Sequence, residues 1–544
     1  MSEPIRTLAV IGFGPRGLGA LEALAVDAMQ RGTRFKIDIF DTLDALGAGP
    51  NFHPDEDPLC ILNIPVRILD IDPPACMSNQ IAPFGEWSET DYEGDDFPPR
   101  ADLGAYLEAR FHALCQAAGD VFKVTNIKAK ACAIDKKDGW HITTDDGQYG
   151  PYDEVVMSLG QPATKLDPQM GKWTDHAEEH GLDLLPAYPG TDLLDAAHEW
   201  QDKIVAIRGL GLSTHDVLRL LTVGLGGKFA GDSYQKSGRE PRKILPFSRD
   251  GKPPAPKPAT AEIDALFDPV ISETENFKAA LKKAVGQAPD DALKTICNAL
   301  VSPTLRIIGA CDGQPSRERV EEWLTIERED PGTQDIQDTK SALRVTIQMA
   351  HQSIPPSEGY VIGQIWRKFQ NELRSAFNSA VLEQDTAIAI VGFDEGMKRY
   401  SYGPPIEASE QLLTLINDGL VSLQAVDDPD ILMEANGWRL IEGDDALLAQ
   451  AMIDAVLPSP NLESVTAPVI TRAMDKNLIA TVQEGFGART QPDGSLVSPD
   501  GTVLKGLCLL GRLSLGSVIA TDSLHDCFGA STHRWAAGVA SRFT

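Results

Sequence analysis

Apolar positions along this chain fall into two rhythms, and the places where one gives way to the other mark its elements. Thr7 to Ile11 is a continuous apolar run of strand length, followed by Gly12-Phe-Gly-Pro-Arg-Gly17. Leu18 to Met29 then carries small and apolar residues at helical spacing, and Phe35 to Phe40 alternates like a strand. Together they predict strand, glycine turn, helix, strand. Pro50 to Phe97 is rich in Pro, Asp and Asn and reads as long loops over this first unit. Helical spacing returns at Leu103 to Ala118. Residues 122–149 alternate as hairpin strands with a turn at Lys136 to Gly139, and Glu154 to Gly160 is a buried strand ending in glycine. A second strand–glycine–helix unit begins at Lys203 to Gly209, and residues 234–258, basic and Pro-rich, read as a loop. Residues 260–380 are mainly helical in period. Strands are expected to resume at Thr386 to Val391, Gly437 to Ile441 and Leu507 to Leu510, before a helix from about Ser531.

The expected fold class is α/β, with two dinucleotide-binding Rossmann-like domains and a mainly helical insert. On this reading residues 1–200 and 441–544 form one nucleotide domain, 201–260 and 386–440 the second, and 261–385 the insert, placed as a substrate lid.

The glycine spacing carries the chemistry. In such a turn the first glycine permits the bend, the second lets backbone approach a pyrophosphate, and the third lets the helix pack closely. Gly12, Gly14 and Gly17 fit that order, with Pro15 and Arg16 between them, and the pyrophosphate is expected on the helix N-terminus. Asp41 ends the next strand, 24 residues past Gly17, where an acid binds a ribose hydroxyl pair. The unit opens the chain and a second follows about 200 residues later, which favours FAD at the first site. Gly160, and Gly511 within Gly506 to Arg512, resemble the strand-end turns that return to FAD in two-dinucleotide flavoproteins. The helix near Ser531 is expected at the flavin pyrimidine ring, where negative charge develops on reduction. In the second unit Gly209 and Gly211 are followed by Ser213 and Thr214, whose hydroxyls are expected to cap the helix and meet phosphate. Ser248 and Arg249, with Arg239 upstream, lie where the next strand should end, and an arginine there suits a 2′-phosphate. The expected second cofactor is NADPH.

Composition bounds the remaining options. At 544 residues, two to three domains are expected, and a net charge of −30 argues against a nucleic-acid or anionic-membrane surface. Nucleotides must be captured locally, by helix N-termini and placed cations. The eight cysteines form no CxxC pair and no metal site is expected. No apolar run approaches the roughly 20 residues a bilayer requires, and a cytoplasmic location is expected.

Ile11 to Leu18, Gly47-Ala-Gly49 with Leu62 to Pro65, Phe97 to Arg100, Arg208 to Ser213 with Asp216, Ser237 to Arg239, Phe247 to Arg249 and Tyr402 to Pro405 form a set. Through them the chain resembles, over nearly its whole length, the FAD-NAD(P)-binding family of bacterial proteins related to flavin-dependent N-hydroxylating monooxygenases. The resemblance implies FAD, NADPH and oxygen acting on a small amino acid or amine, with oxygen adding to reduced flavin at C4a. It also implies Asn63 near the flavin ring and Arg100 in the FAD domain. Arg399 or Lys398 is the candidate for a substrate carboxylate, since arginine pairs it bidentately. The FxGxxxH fingerprint of related monooxygenases is absent; Gly171 to His176 is a loose echo. A flavin reductase without oxygen insertion and a non-catalytic redox sensor stay open as alternatives, as does a homo-oligomer.

Overall fold

A run such as Leu8-Ala-Val10 can be hidden on both sides only inside a parallel sheet covered by helices. In the computed structural model, which describes residues 5–543, these three residues have no exposed surface. Ten strands form two such sheets: β1 (Arg6–Ile11), β2 (Phe35–Phe40), β3 (Phe122–Ile127), β4 (Glu154–Met157), β5 (Asp183–Pro186), β6 (Ile204–Arg208), β7 (Lys243–Phe247), β8 (Ala451–Asp454), β9 (Ser495–Val497) and β10 (Val503–Leu509). The first sheet has the order β9-β10-β4-β1-β2-β3, parallel except for the outer β9. The second is β7-β6-β8-β5, parallel throughout. In each, the chain reverses direction across the sheet beside a glycine turn, between β1 and β4 and between β6 and β8, and ligands of such sheets bind at that switch point.

Helices α1 (Pro15–Arg31), α2 (Arg100–Ala117), α3 (Leu212–Arg219), α4 (Gln370–Phe377) and α5 (Ala530–Arg542) frame the site. α1 sits tightly against the C-terminal segment because Gly19 has no side chain; a Cβ there would lie 2.0 Å from the Cys527 carbonyl oxygen. The buried Glu22 of α1 receives Arg110 of α2 at 2.6 and 2.7 Å. Glu154, fully buried at the start of β4, receives Arg542 at the end of α5 at 2.6 and 3.0 Å. The far end of the sequence is thereby fixed into the first sheet.

Three local expectations are corrected. Residues 386–391 are not a strand but part of a helix, Gln384–Ser401. Its buried positions Thr386, Ala387, Ile390, Val391, Asp394 and Met397 continue at helical spacing beyond the β-branched run, which alone does not separate helix from strand. Helices run on to Asn417, and the second sheet draws β5 and β8 from either side of them. Phe122–Ile127 is not a hairpin strand; it joins the first sheet beside β2, and the antiparallel ribbon starts at Ala131. The expected loop at 234–258 contains β7 despite Pro246. Ile244 and Ser248 donate outward to Leu420 and Val426, and the position between them, where proline has no N–H, is skipped. The 50–97 stretch is irregular, as its composition predicts, apart from short helical turns.

Candidate functional site

At the C-terminal end of β1 the three glycines serve three separate needs. Gly12 has φ +78°, and a Cβ there would sit 2.9 Å from the Ser158 carbonyl oxygen. Gly17 is hemmed in by the Phe13 ring at 2.9 Å and Ser158 Oγ at 3.0 Å, so α1 lies close to β4. Gly14 is different: a Cβ would meet only the Gly49 backbone, at 3.5 Å. It caps α1 in extended conformation with no side-chain cap, and Pro15 follows at the first helical position. Space and unsatisfied N–H groups therefore coincide where a phosphate would sit. Asp41 supports the turn from behind, accepting from Phe13 N–H at 2.6 Å and Leu43 N–H at 2.9 Å, and remains half-exposed at the end of β2. Gly160 has φ +61° with open space around it, just beyond the end of β4.

Arg16 does not join this cradle. It is 8% exposed and donates to Asp526 Oδ2 at 2.7 Å, the Thr521 carbonyl at 3.1 Å and Ser531 Oγ at 3.3 Å. Gly511, at φ +94°, is glycine because Arg16 Nε would lie 2.7 Å from its Cβ. Both residues pin the C-terminal segment to α1, a packing role that the spacing alone conceals.

The second turn repeats the first with one change. Gly209 has φ +117°, and Gly211 caps α3 with no side-chain cap and nothing within 4 Å of its would-be Cβ. Thr214 occupies the third position, and its Oγ1 donates to the Gly209 carbonyl at 2.9 Å while almost fully buried. That hydroxyl closes the turn from within and is not offered to a phosphate; Ser213, half-exposed in the first turn of α3, stays at the open side. Ser248 donates to Asp250 at 3.1 Å. Arg249 is exposed, lies two residues past β7 and has no side-chain partner among the described residues. Since Phe247 pairs with Arg208, Arg249 and Gly209 share one sheet edge. Arg239 precedes β7 and therefore lies at the opposite edge, away from the glycine turn.

A buried acid stands in α3, just past the second turn. Asp216 of α3, 3% exposed, receives Arg100 Nη2 at 2.7 Å, Tyr188 OH at 2.6 Å and Arg219 Nη1 at 2.7 Å. Arg100 lies over the Tyr188 ring at 4.7 Å and donates through Nε to Ile61 O at 3.2 Å. Burial and the Asp216 charge push the Tyr188 hydroxyl well above its usual range, so it stays protonated and donates. Asn63 follows two residues after Ile61, half-buried, with no side-chain hydrogen bond among the described residues. Arg100 is thus less a residue of one domain than the link between both. Tyr188 carried no sequence signal, because nothing in its neighbourhood announces a partner 28 residues away.

Arg399 and Lys398 are already committed to acids: Arg399 to Asp250 at 3.0 Å and Asp335 at 3.4 Å, Lys398 to Asp522 and Glu395, each at 2.7 Å. Neither offers a free cation to a carboxylate. No group of acids, histidines and cysteines suited to a metal occurs among the described residues.

Comparison with known proteins agrees with this geometry. Residues 9–162 match the FAD-NAD(P)-binding family. The chain is 30% identical over 265 residues to the nitrosuccinic acid synthase npaA of Aspergillus oryzae, covering 45% of this chain and 40% of that protein. It is 29% identical over 294 residues to an L-aspartate N-monooxygenase (nitrosuccinate-forming) of Streptomyces davaonensis, covering 46% of this chain and 45% of that one. The match thus spans less than half the length of these relatives. The fold is that of DfoA, the cadaverine monooxygenase of Erwinia amylovora solved with FAD, at TM-score 0.52 and 11% identity over 99% of this chain and 95% of that one.

The unequal surroundings of the glycines make a stability test. Gly12→Ala should cost the ligand-free protein about 2 kcal/mol or more, from left-handed strain and the Ser158 contact. Gly14→Ala should stay within about 0.5 kcal/mol. Thermal unfolding of both variants checks this, and equal losses would show that Gly14 is packed rather than open.

Proposed function

We propose that this chain is an FAD- and NADPH-dependent monooxygenase that N-hydroxylates a small amino acid. The carrying observation is the pair of open glycine turns, Gly14 and Gly211, each at the switch point of its own parallel sheet. The matched relatives supply the reaction class, since two are named for oxidation at the nitrogen of aspartate or for its nitrosuccinate product.

The residues fit the two nucleotides. Gly14 and the free N–H groups at the start of α1 would hold the FAD pyrophosphate, with Asp41 reaching the adenosine ribose and Gly160 leaving room beside β4. Gly211 and Ser213 at the start of α3 would hold the second pyrophosphate, and Arg249, exposed and unpaired on the same edge, would read a 2′-phosphate. When bound, FAD supplies the redox chemistry, taking electrons from the nicotinamide and passing them to oxygen. The protein's own task is to bring the rings together and exclude water. The Arg100–Asp216–Tyr188 cluster holds the two nucleotide units at a fixed offset, and Asn63 offers an unpaired amide at that junction.

Purified protein should be yellow, and L-aspartate, tried first among amino acids, should raise NADPH oxidation and oxygen uptake and yield an N-oxidised product. NADPH oxidation that no amine or amino acid stimulates would make the protein a reductase instead. Gly14→Val should give a folded, colourless protein; a fully yellow variant would refute the pyrophosphate site. Arg249→Ala should raise the KM for NADPH at least tenfold more than that for NADH, because only NADPH carries the phosphate it reads. Equal increases would remove Arg249 from that role.

A further inference from the structure

A cavity of about 350 Å³ opens between α4 and the first turns of α5. Two guanidinium groups line it, Arg374 and Arg534, and neither is paired with a carboxylate. Arg374 is only 8% exposed, yet its hydrogen bonds go to neutral acceptors, from Nε to Ala520 O at 3.2 Å and from Nη1 to Asn371 Oδ1 at 2.9 Å. Arg534 donates from Nε to Pro492 O at 3.1 Å, and burial holds it below its usual range against the pull of Asp526. In a chain with 79 acidic residues against 49 basic ones, two half-buried or buried arginines without an acid are conspicuous. An unpaired buried charge is costly, and sites that keep one are paid back by a ligand of opposite sign.

The rest of the cavity has the same bias. Of its two carboxylates, Asp526 is neutralised by Arg16 at 2.7 Å and accepts from Ser531 at 3.0 Å, while Asp70 is exposed. His525 gives its Nε2 to Ile68 O at 2.8 Å, and burial lowers its pKa, so it adds no charge near neutral pH. α5 starts at Gly529 with no side-chain cap and no acid in its first turn, so the helix dipole adds positive potential at the same wall.

We infer that this cavity binds the carboxylate of the small-molecule substrate, gripped by Arg374 and Arg534. The inference rests on the monooxygenase reading for the word substrate; the anion preference rests on the cavity itself. It moves the carboxylate-binding role from Arg399, which is consumed by Asp250 and Asp335, to arginines that no acid satisfies.

Calorimetric titration of L-aspartate and of succinate into the purified full chain tests it, alongside flavin content and the KM and kcat for L-aspartate. Arg534→Gln should weaken binding of both acids roughly tenfold or more and raise KM more than it lowers kcat, with flavin content unchanged. Arg374→Gln should do the same, and Arg374→Lys should recover part of the loss. If Arg374→Gln fails to fold because Ala520 loses its donor, Arg534→Gln decides. Wild-type protein that binds neither acid, variants that bind them as wild type does, or flavin lost in step with affinity would each overturn the proposal. Acid binding that depends on both arginines, in a protein whose NADPH oxidation no amino acid stimulates, would uphold this site and reject the monooxygenase reading.

Discussion

A carboxylate buried among protein atoms loses several kcal/mol of hydration unless its partners are in place, and Asp216 is such a group. Its partners come from three separated parts of the sequence: Arg100 at the start of α2, Tyr188 before the second unit's first helix, and Arg219 one turn along α3. None of them satisfies it alone. The first nucleotide unit, the 50–97 loops and the second unit must therefore be correctly docked before the acid is at rest. The loops are tied a second time through Arg67, whose Nη1 lies 3.0 Å from Asp264, and Asp264 also receives Arg367 and Lys368 from the helical region. Although burial opposes its charge, Arg367 and Lys368 hold Asp264 below the usual carboxylate range. Two buried acids thus fix an irregular segment between three bodies, which explains how so little regular structure keeps a definite shape.

The same economy appears at the helix starts. α1, α3 and α5 each begin at a glycine, Gly14, Gly211 and Gly529, in nearly the same extended conformation and without a side-chain cap. Some other helices carry a side-chain cap, with Asp167, Ser316, Asp338 or Ser357 accepting from the first turn, while others start uncapped at residues such as Pro99, Ala288 and Pro405. A cap would improve local stability by about 1 kcal/mol. Its omission at these three glycine starts leaves polar ends for anions, and it answers the problem posed by a net charge of −30, which repels them at a distance.

What was legible in the sequence was whatever is enforced within a few residues. The glycine turns, their flanking strands and the acid Asp41 could be read because steric limits on φ and on close approach act locally. Arg16 shows where this ends. Its position in the motif suggested a cofactor contact, but its side chain answers to Asp526 and Thr521, more than 500 residues away, which no spacing rule encodes. Thr214 was expected at a phosphate, and its hydroxyl here donates to the Gly209 carbonyl; a hydroxyl at a helix start serves a ligand or a backbone carbonyl with equal ease. The 386–391 stretch failed for another reason: β-branched residues suit a strand, and only the continuation of the buried face to Met397, packed within the helical core, decides for a helix. The arginines of the α4–α5 cavity were invisible because their distinguishing property is the lack of a paired carboxylate.

The order in which the sheets are completed follows from where their last strands lie. β8, which finishes the second sheet, is encoded at Ala451–Asp454, whereas β10, which lies against β4 in the first, comes only at Val503–Leu509 and is locked by Arg542. As the polypeptide leaves the ribosome, the later-starting unit can close while the one that opened the chain still exposes the bare edge of β4. The first half must then wait for the tail, and nascent chains stalled before residue 503 would present that apolar edge to chaperones or to one another.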